Sequence, residues 1–235
     1  MAEDGRGSEV GSQWHPEPAE VNGALAQKRR LAGAMRLVIE RLVPSDAPEG
    51  ELRLAAEGLE RYAEALKAHP RLGHFRGYAE SANAGDVGAF FDQSPLIGLA
   101  NPLAPPIQVR EDGPLRASAS VTFGSAYEGP PGSVHGGFVA AAFDEVLGFV
   151  QSLGGSPGMT GTLTIVYRAP TPLHTELRFE AELLRSEGRK NFTEARLFAG
   201  DLLTAEATGL FISVDPSKFE ALLERRDRLE AERND

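Results

Sequence analysis

Residues Gly129 to Gly148 read GPPGSVHGGFVAAAFDEVLG. From Gly136 to Gln151 the spacing is helical, yet Phe138, Val139, Phe143, Val146, Leu147, Phe149 and Val150 leave no polar face. A helix that is apolar all round has to be buried. Two glycines in its first turn each weaken it by about 1 kcal/mol relative to alanine. Two acids, Asp144 and Glu145, interrupt it, and a carboxylate in apolar surroundings is costly unless it is paired or neutralised. Unfavourable choices of both kinds in one short segment point to a function there.

The flanks have a different period. In LRASASVTF, Leu115 to Phe123, apolar Ala117, Ala119, Val121 and Phe123 alternate with polar residues, the mark of a half-buried strand. Beyond the helix come four alternating runs: Gly161 to Arg168, Thr175 to Ser186, Lys190 to Ala199 and Leu202 to Val214. The turns PTPLH, EGR and AGD between them are short enough for antiparallel neighbours. One strand, one apolar helix and a meander make an α+β domain in which four to six strands wrap the helix, or share it with another subunit.

Upstream, helical spacing runs from Val21 to Val43 and from Glu49 to Ala68, stopped by Pro44 and Pro70. The Gly- and Pro-rich stretch from Arg71 to Pro114 reads as an irregular connection with space for one short strand. The expected organisation is a disordered N-terminus over 1–20, a helical extension over 21–83 and the α+β domain over 84–215. A charged amphipathic helix over 216–235 ends it, with a solvated charged face.

Composition narrows the function classes. The 235 residues are 41% hydrophobic and 25% charged, as in folded globular proteins. A net charge of −10 disfavours nucleic acid as a partner but leaves room for a local basic patch. There is no cysteine, which excludes disulfides, thiolate metal sites and a cysteine nucleophile. No secretory signal opens the sequence and no run approaches the ~20 apolar residues of a membrane span, so a cytoplasmic location is expected. GGSPG, Gly154 to Gly158, matches G-x-S-x-G, but it follows a helix where that motif precedes one, and Pro157 lacks the N–H an oxyanion hole needs.

The helix start carries the chemistry. Unpaired N–H groups and a partial positive charge collect there. Glycine lets a ligand oxygen reach the Gly136 N–H, an arrangement that suits a carbonyl gaining negative charge. Asp144 lies about two and a half turns beyond His135 and joins such a site only if a second copy delivers it across an interface. It would then act as a general base on water or attack the carbonyl itself. The alternative is that His135 caps the helix and the two glycines serve packing alone.

YEGPPGSVHGGFVAAAFDEVLG, GTLTIVYRAPTPL and TAEATGLFISV together resemble the hotdog-fold thioesterases of the PaaI type, over about residues 95 to 215. That resemblance implies a hotdog fold, an antiparallel sheet wrapped around the central helix, here with a helical N-terminal extension. It implies hydrolysis of a fatty or aromatic acyl-CoA to free acid and CoA without metal or cofactor, in a homodimer or a dimer of dimers with interfacial sites. By the motif, Gly136 polarises the thioester carbonyl with Gly137 beside it, His135 fixes the helix entry and orients substrate, and Asp144 is base or nucleophile. The THEM-type branch places a hydroxyl on the strand after the helix, here Thr160, to hold the lytic water against the carboxylate. Where some relatives have Asn six residues before the His, this chain has Gly129, so one polar contact is expected to be missing. Glu145, about 100° around the helix from Asp144, is expected to pair with a surface group, or to be the working acid if the register shifts by one. Arg168, Arg189 and Lys190 are the candidates for the CoA phosphates. Two other readings stay open: a non-catalytic acyl-CoA-binding or scaffold protein, and a hotdog hydratase or dehydratase, for which no His–Asp pairing is found.

Overall fold

The structure, a computed structural model, describes residues 23–69, 92–213 and Arg225. The expected disordered N-terminus and charged C-terminal helix lie outside the described residues, apart from Arg225, which is helical.

Two helices come first, α1 (Ala24–Leu42) and α2 (Glu49–Leu66). The Pro44 to Pro48 segment separates them, and α2 starts with Glu49 and Glu51, whose charges suit the positive helix end. Only Ala32 of α1 is fully buried. Polar groups attach the helix to the rest of the chain. Arg29 forms a two-pronged pair with Asp92, at 2.7 and 2.9 Å, and Arg36 donates to the carbonyls of Leu99 and Asn101. Glu40 accepts from the Ser125 N–H and hydroxyl at 2.8 and 2.9 Å. Residues 29, 36 and 40 share one helical face, so these contacts form a stripe.

The sheet is built from β1 (Gln108–Glu111), β2 (Arg116–Thr122), β3 (Gly158–Tyr167), β4 (Glu176–Glu187), β5 (Lys190–Ala199) and β6 (Leu202–Ser213). A short 3-10 turn, Ser125–Tyr127, and the helix α3 (Gly136–Ser152) lie between β2 and β3. Every pairing is antiparallel, in the order β1-β2-β4-β5-β6-β3, which leaves β1 and β3 as edges. The irregular connection supplies β1, and the six strands hold α3 against one face, as a hotdog does.

Alternation builds the core. Leu177, Phe179, Ala181 and Leu183 of β4 and Ala195 and Leu197 of β5 turn inward, their neighbours outward. All but Leu183 join Val139, Ala142, Phe143, Val146, Leu147 and Val150 of α3 in one core, with Phe143 edge-on to Phe179 at 5.1 Å. β3 differs: its residues are exposed or only half-buried along its whole length, and Met159, Val166 and Tyr167 are largely exposed.

β3 begins at Gly158, three residues before the expected start at Gly161. A buried polar network explains the extension. Gln151, at the end of α3, accepts from the Gly158 N–H at 3.1 Å and receives Asn191 Nδ2 at 3.0 Å. Asn191 also donates to Ser156 O and accepts from the Ser186 hydroxyl. Both amides are about 1% exposed, and satisfied buried groups of this kind fix geometry tightly. The pairing with β6 then slips by one residue between Thr160 and Thr162, a bulge at Gly161.

Candidate active site

The bulge decides which way Thr160 points. An extra residue reverses the parity of side chains on either side of it. Thr160 therefore faces α3 on the same side as Leu163, Ile165 and Tyr167. Its hydroxyl donates to Asp144 Oδ1 at 2.7 Å. Seven residues on, the Tyr167 hydroxyl donates to Gly136 O at 2.8 Å. The edge strand thus grips both ends of the helical segment that carries the chemistry. Asp144 is half-buried, and Thr160, Tyr167 and His135 are exposed.

His135 caps α3, its Nδ1 accepting from the Gly137 N–H at 3.0 Å. With Nδ1 used as an acceptor, the neutral ring carries its proton on Nε2, a donor directed away from the helix. The Gly137 amide is thereby consumed. The Gly136 N–H has no acceptor among the described residues. A Cβ at Gly136 would lie 3.4 Å from the Tyr167 hydroxyl, an ordinary contact, whereas one at Gly137 would lie 3.1 Å from His135 Nδ1. Close packing therefore accounts for Gly137 better than for Gly136.

Gly129 has its own explanation. A Cβ there would sit 2.7 Å from the His135 Cα, inside any tolerable contact with backbone. No side chain, Asn included, fits at 129 while His135 holds this position.

Glu145 does not pair with a surface group. It faces the 92–101 segment that Arg29 and Arg36 of α1 hold, where the Ser94 hydroxyl lies 3.5 Å from its Oε1. Burial pushes its carboxyl up to about 7, the Asp144 charge adds to the rise, and the Ser94 hydrogen bond only partly opposes it. The two adjacent acids have different environments: one meets a hydroxyl at the sheet edge, the other is held near neutrality within the fold.

The basic candidates do not gather. Arg168 pairs with Glu206 across the β3–β6 ladder. Arg189 donates to Ser213 O at 2.9 Å, and exposed Lys190 lies opposite Ile212, itself opposite Met159. Arg189 and Lys190 thus share the Thr160 end of β3, while Arg168 sits about 30 Å along it.

Several contributors escaped the sequence reading. Tyr167 is one, visible only as a strand tyrosine. Another set is Ser125, His174 and Glu40, where Ser125 Oγ lies 3.3 Å from His174 Nε2 and His174 Nδ1 lies 3.7 Å from Glu40 Oε1. Serine, imidazole and carboxylate in this order suggest a hydrolytic relay. Yet Glu40 already binds both the hydroxyl and the N–H of Ser125, which removes the free nucleophile and that N–H as an oxyanion donor. The cluster clamps α1 to the 3-10 turn. Among the described residues, no three His, Cys, Asp or Glu side chains gather as a metal site, and no helix is long and apolar enough to cross a membrane.

Comparison with known proteins bears on this geometry. Residues 131–206 match the model of the thioesterase superfamily. A crystal structure of a thioesterase superfamily protein superposes with a TM-score of 0.70 at 31% identity, covering 79% of this chain and 94% of that one. Acyl-coenzyme A thioesterase THEM4 of Xenopus laevis is 39% identical over 97 residues, 40% of this chain and 43% of that protein. The human acyl-coenzyme A thioesterase THEM5 is 31% identical over 93 residues, 39% of this chain and 38% of that protein. These matches span less than half the length of the curated relatives.

Proposed function

The chain belongs to the thioesterase superfamily, and from that premise we propose that it hydrolyses the thioester of a fatty or aromatic acyl-CoA, releasing the free acid and CoA. The observation that carries the reading is the Asp144 carboxylate, fixed by Thr160 at the open sheet edge, together with a Gly136 N–H that has no acceptor among the described residues, at the start of the same helix. The N–H receives the carbonyl oxygen as it gains charge. Asp144 takes a proton from water whose oxygen attacks the carbonyl carbon; the C–S bond breaks, and the leaving sulfur departs as the CoA thiol with the proton that Asp144 took. In the nucleophilic variant, the Asp144 carboxylate attacks the carbonyl carbon, the C–S bond breaks and the CoA thiolate leaves. Water then cleaves the mixed anhydride to the free acid and the restored carboxylate, its spare proton going to the thiolate.

About 12 Å of helix separates Gly136 from Asp144, so one chain does not supply both to one carbonyl. We assign the active form to a homodimer, or a dimer of dimers, in which the Asp144 of one copy faces the Gly136 of another. A long exposed edge strand is a ready pairing surface, and β3 carries exposed Met159, Val166 and Tyr167. Arg189 and Lys190, near the Thr160 end, are the better placed candidates for the CoA phosphates, since Arg168 is committed to Glu206.

The test is Asp144→Asn. General-base catalysis contributes about 10²–10⁴-fold. Turnover of an acyl-CoA is expected to fall by that much while binding, read by calorimetry, stays within a few-fold. Unchanged turnover would remove Asp144 from the mechanism.

A further inference from the structure

Helix α2 has no buried residue, and its Leu52, Leu54, Leu59, Tyr62 and Leu66 are 40–62% exposed. Among the described residues, its hydrogen bonds and ion pairs close within the helix or onto its flanking turns: Arg53 meets Glu57 and Lys67 meets Glu64. Helices in proteins draw most of their stability from the packing of an apolar face, and Gly58 weakens this one further. Leu52, Leu59 and Leu66 recur every seven residues with Ala55 and Tyr62 between them, the seam of a helix–helix contact. Ala56 and Ala63 beside the seam let a second helix come close.

α1 carries a matching stripe. Its clamp residues Arg29, Arg36 and Glu40 face the body of the domain. Leu31, Met35, Val38 and Leu42 lie on the opposite side by helical geometry, at heptad spacing, and are 37–52% exposed. The two helices differ in charge: α1 holds five basic residues and one acid, α2 five acids and two bases. Lys28, Arg30 and Arg41 border the α1 stripe, and no carboxylate meets them among the described residues. Glu49, Glu51 and Glu60 border the α2 seam, and no base meets them. Packing like on like would gather charge of one sign, whereas α2 against α1 pairs it.

Within one chain the two stripes stay apart. Residues 43–48, which join the helices, include Pro44 and Pro48, and Pro48 has extended backbone at φ −59°, ψ 143°. A connection stiffened by proline and two faces left open favour exchange, in which the same two elements pair between copies. We propose that α2 of one copy lies along the outer stripe of α1 of a second copy, and reciprocally, a two-fold exchange of helices. It joins copies through residues other than the β3 edge, and it stands whether or not the chain hydrolyses a thioester. Since Arg29, Arg36 and Glu40 tie α1 to the 92–101 segment and to Ser125, the exchange connects the second copy's α2 to the surroundings of α3.

The chain has no cysteine, so introduced thiols are the only ones present. Val38→Cys and Leu59→Cys place one on each stripe at exposed positions. Each is made in a full chain with its own tag, and the two are co-expressed and treated with a short bis-maleimide. Linked product from the mixed pair is expected to exceed that from either variant alone by about tenfold or more, because pairing raises the effective concentration of the two thiols. With both cysteines in one chain, the product is expected at twice the chain mass on a denaturing gel. Met35→Cys with Ala63→Cys repeats the measurement at a second pair, in case a variant of the first fails to fold. Product at the mass of a single chain would mean that α2 folds back on its own α1, and would overturn the exchange. Equal linkage of each variant to itself would overturn it too, as would no linkage at either pair.

Discussion

Glu145→Gln gives the most direct measure of the environment inside the fold. Unfolded, the carboxyl titrates near 4.5; folded, it is pushed up to about 7. Below pH 4.5 it is protonated in both states and makes no difference to stability. Between those values the folded chain holds a proton that the unfolded chain has lost, so stability falls as pH rises. Above pH 7 the group is ionised in both states, and the native state carries the whole penalty. At 1.36 kcal/mol per tenfold change in proton affinity, that penalty reaches about 3 kcal/mol. Glutamine keeps the volume and an acceptor for Ser94 but cannot ionise. Urea denaturation followed by circular dichroism at about pH 5 and pH 8 should therefore show nearly equal stabilities at the lower pH. At the higher pH the variant should be the more stable by up to about 3 kcal/mol. Parallel pH profiles for the two proteins would refute the reasoning, because they would mean that the carboxyl titrates alike folded and unfolded.

Two further outcomes separate catalysis from structure. Gly136→Ala should leave folding stability within about 0.5 kcal/mol, since the added methyl meets Tyr167 only at ordinary contact distance. Its kcat/KM should nevertheless fall by about 10²-fold, because the thioester oxygen loses its close approach; equal loss of stability and activity would favour the packing reading. Asn191→Leu should destabilise the protein by about 3 kcal/mol, measured by denaturation, because Gln151 Oε1 and Ser156 O each lose one of two donors and the Ser186 hydroxyl loses its acceptor, three hydrogen bonds at about 1 kcal/mol each.

Much of this was written locally. The unbroken apolar pattern of α3 required a sheet around it, and period-two runs marked β2, β4, β5 and β6 within a residue or two. Gly136 and Asp144 stood out in the helix itself, whereas Thr160 came only from the resemblance to the THEM-type branch. What escaped depended on distant parts of the chain. The environment of Glu145 is made by Ser94, 51 residues upstream, and the clamp on Ser125 by Glu40, 85 residues away. No local period encodes such returns. The start of β3 was misplaced because GGSPG reads as a loop, while the bulge at Gly161 and the amides behind it hold Gly158 in the ladder. Arg168 looked free because its partner Glu206 is a neighbour only in the register of the folded sheet.

The tight turn before α3 also constrains how this protein can be altered. Gly129 donates its N–H to Ser133 O at 2.9 Å, and Ser133 N–H returns to Pro130 O at 2.9 Å, so the loop is closed on itself against the His135 backbone. A library that varies only the identity of residue 129 will keep returning glycine among its well-folded members. Reaching an amide-bearing version at the same spacing means moving the His135 backbone away first, so changes that relax the 129–135 turn have to come before substitution at 129 itself.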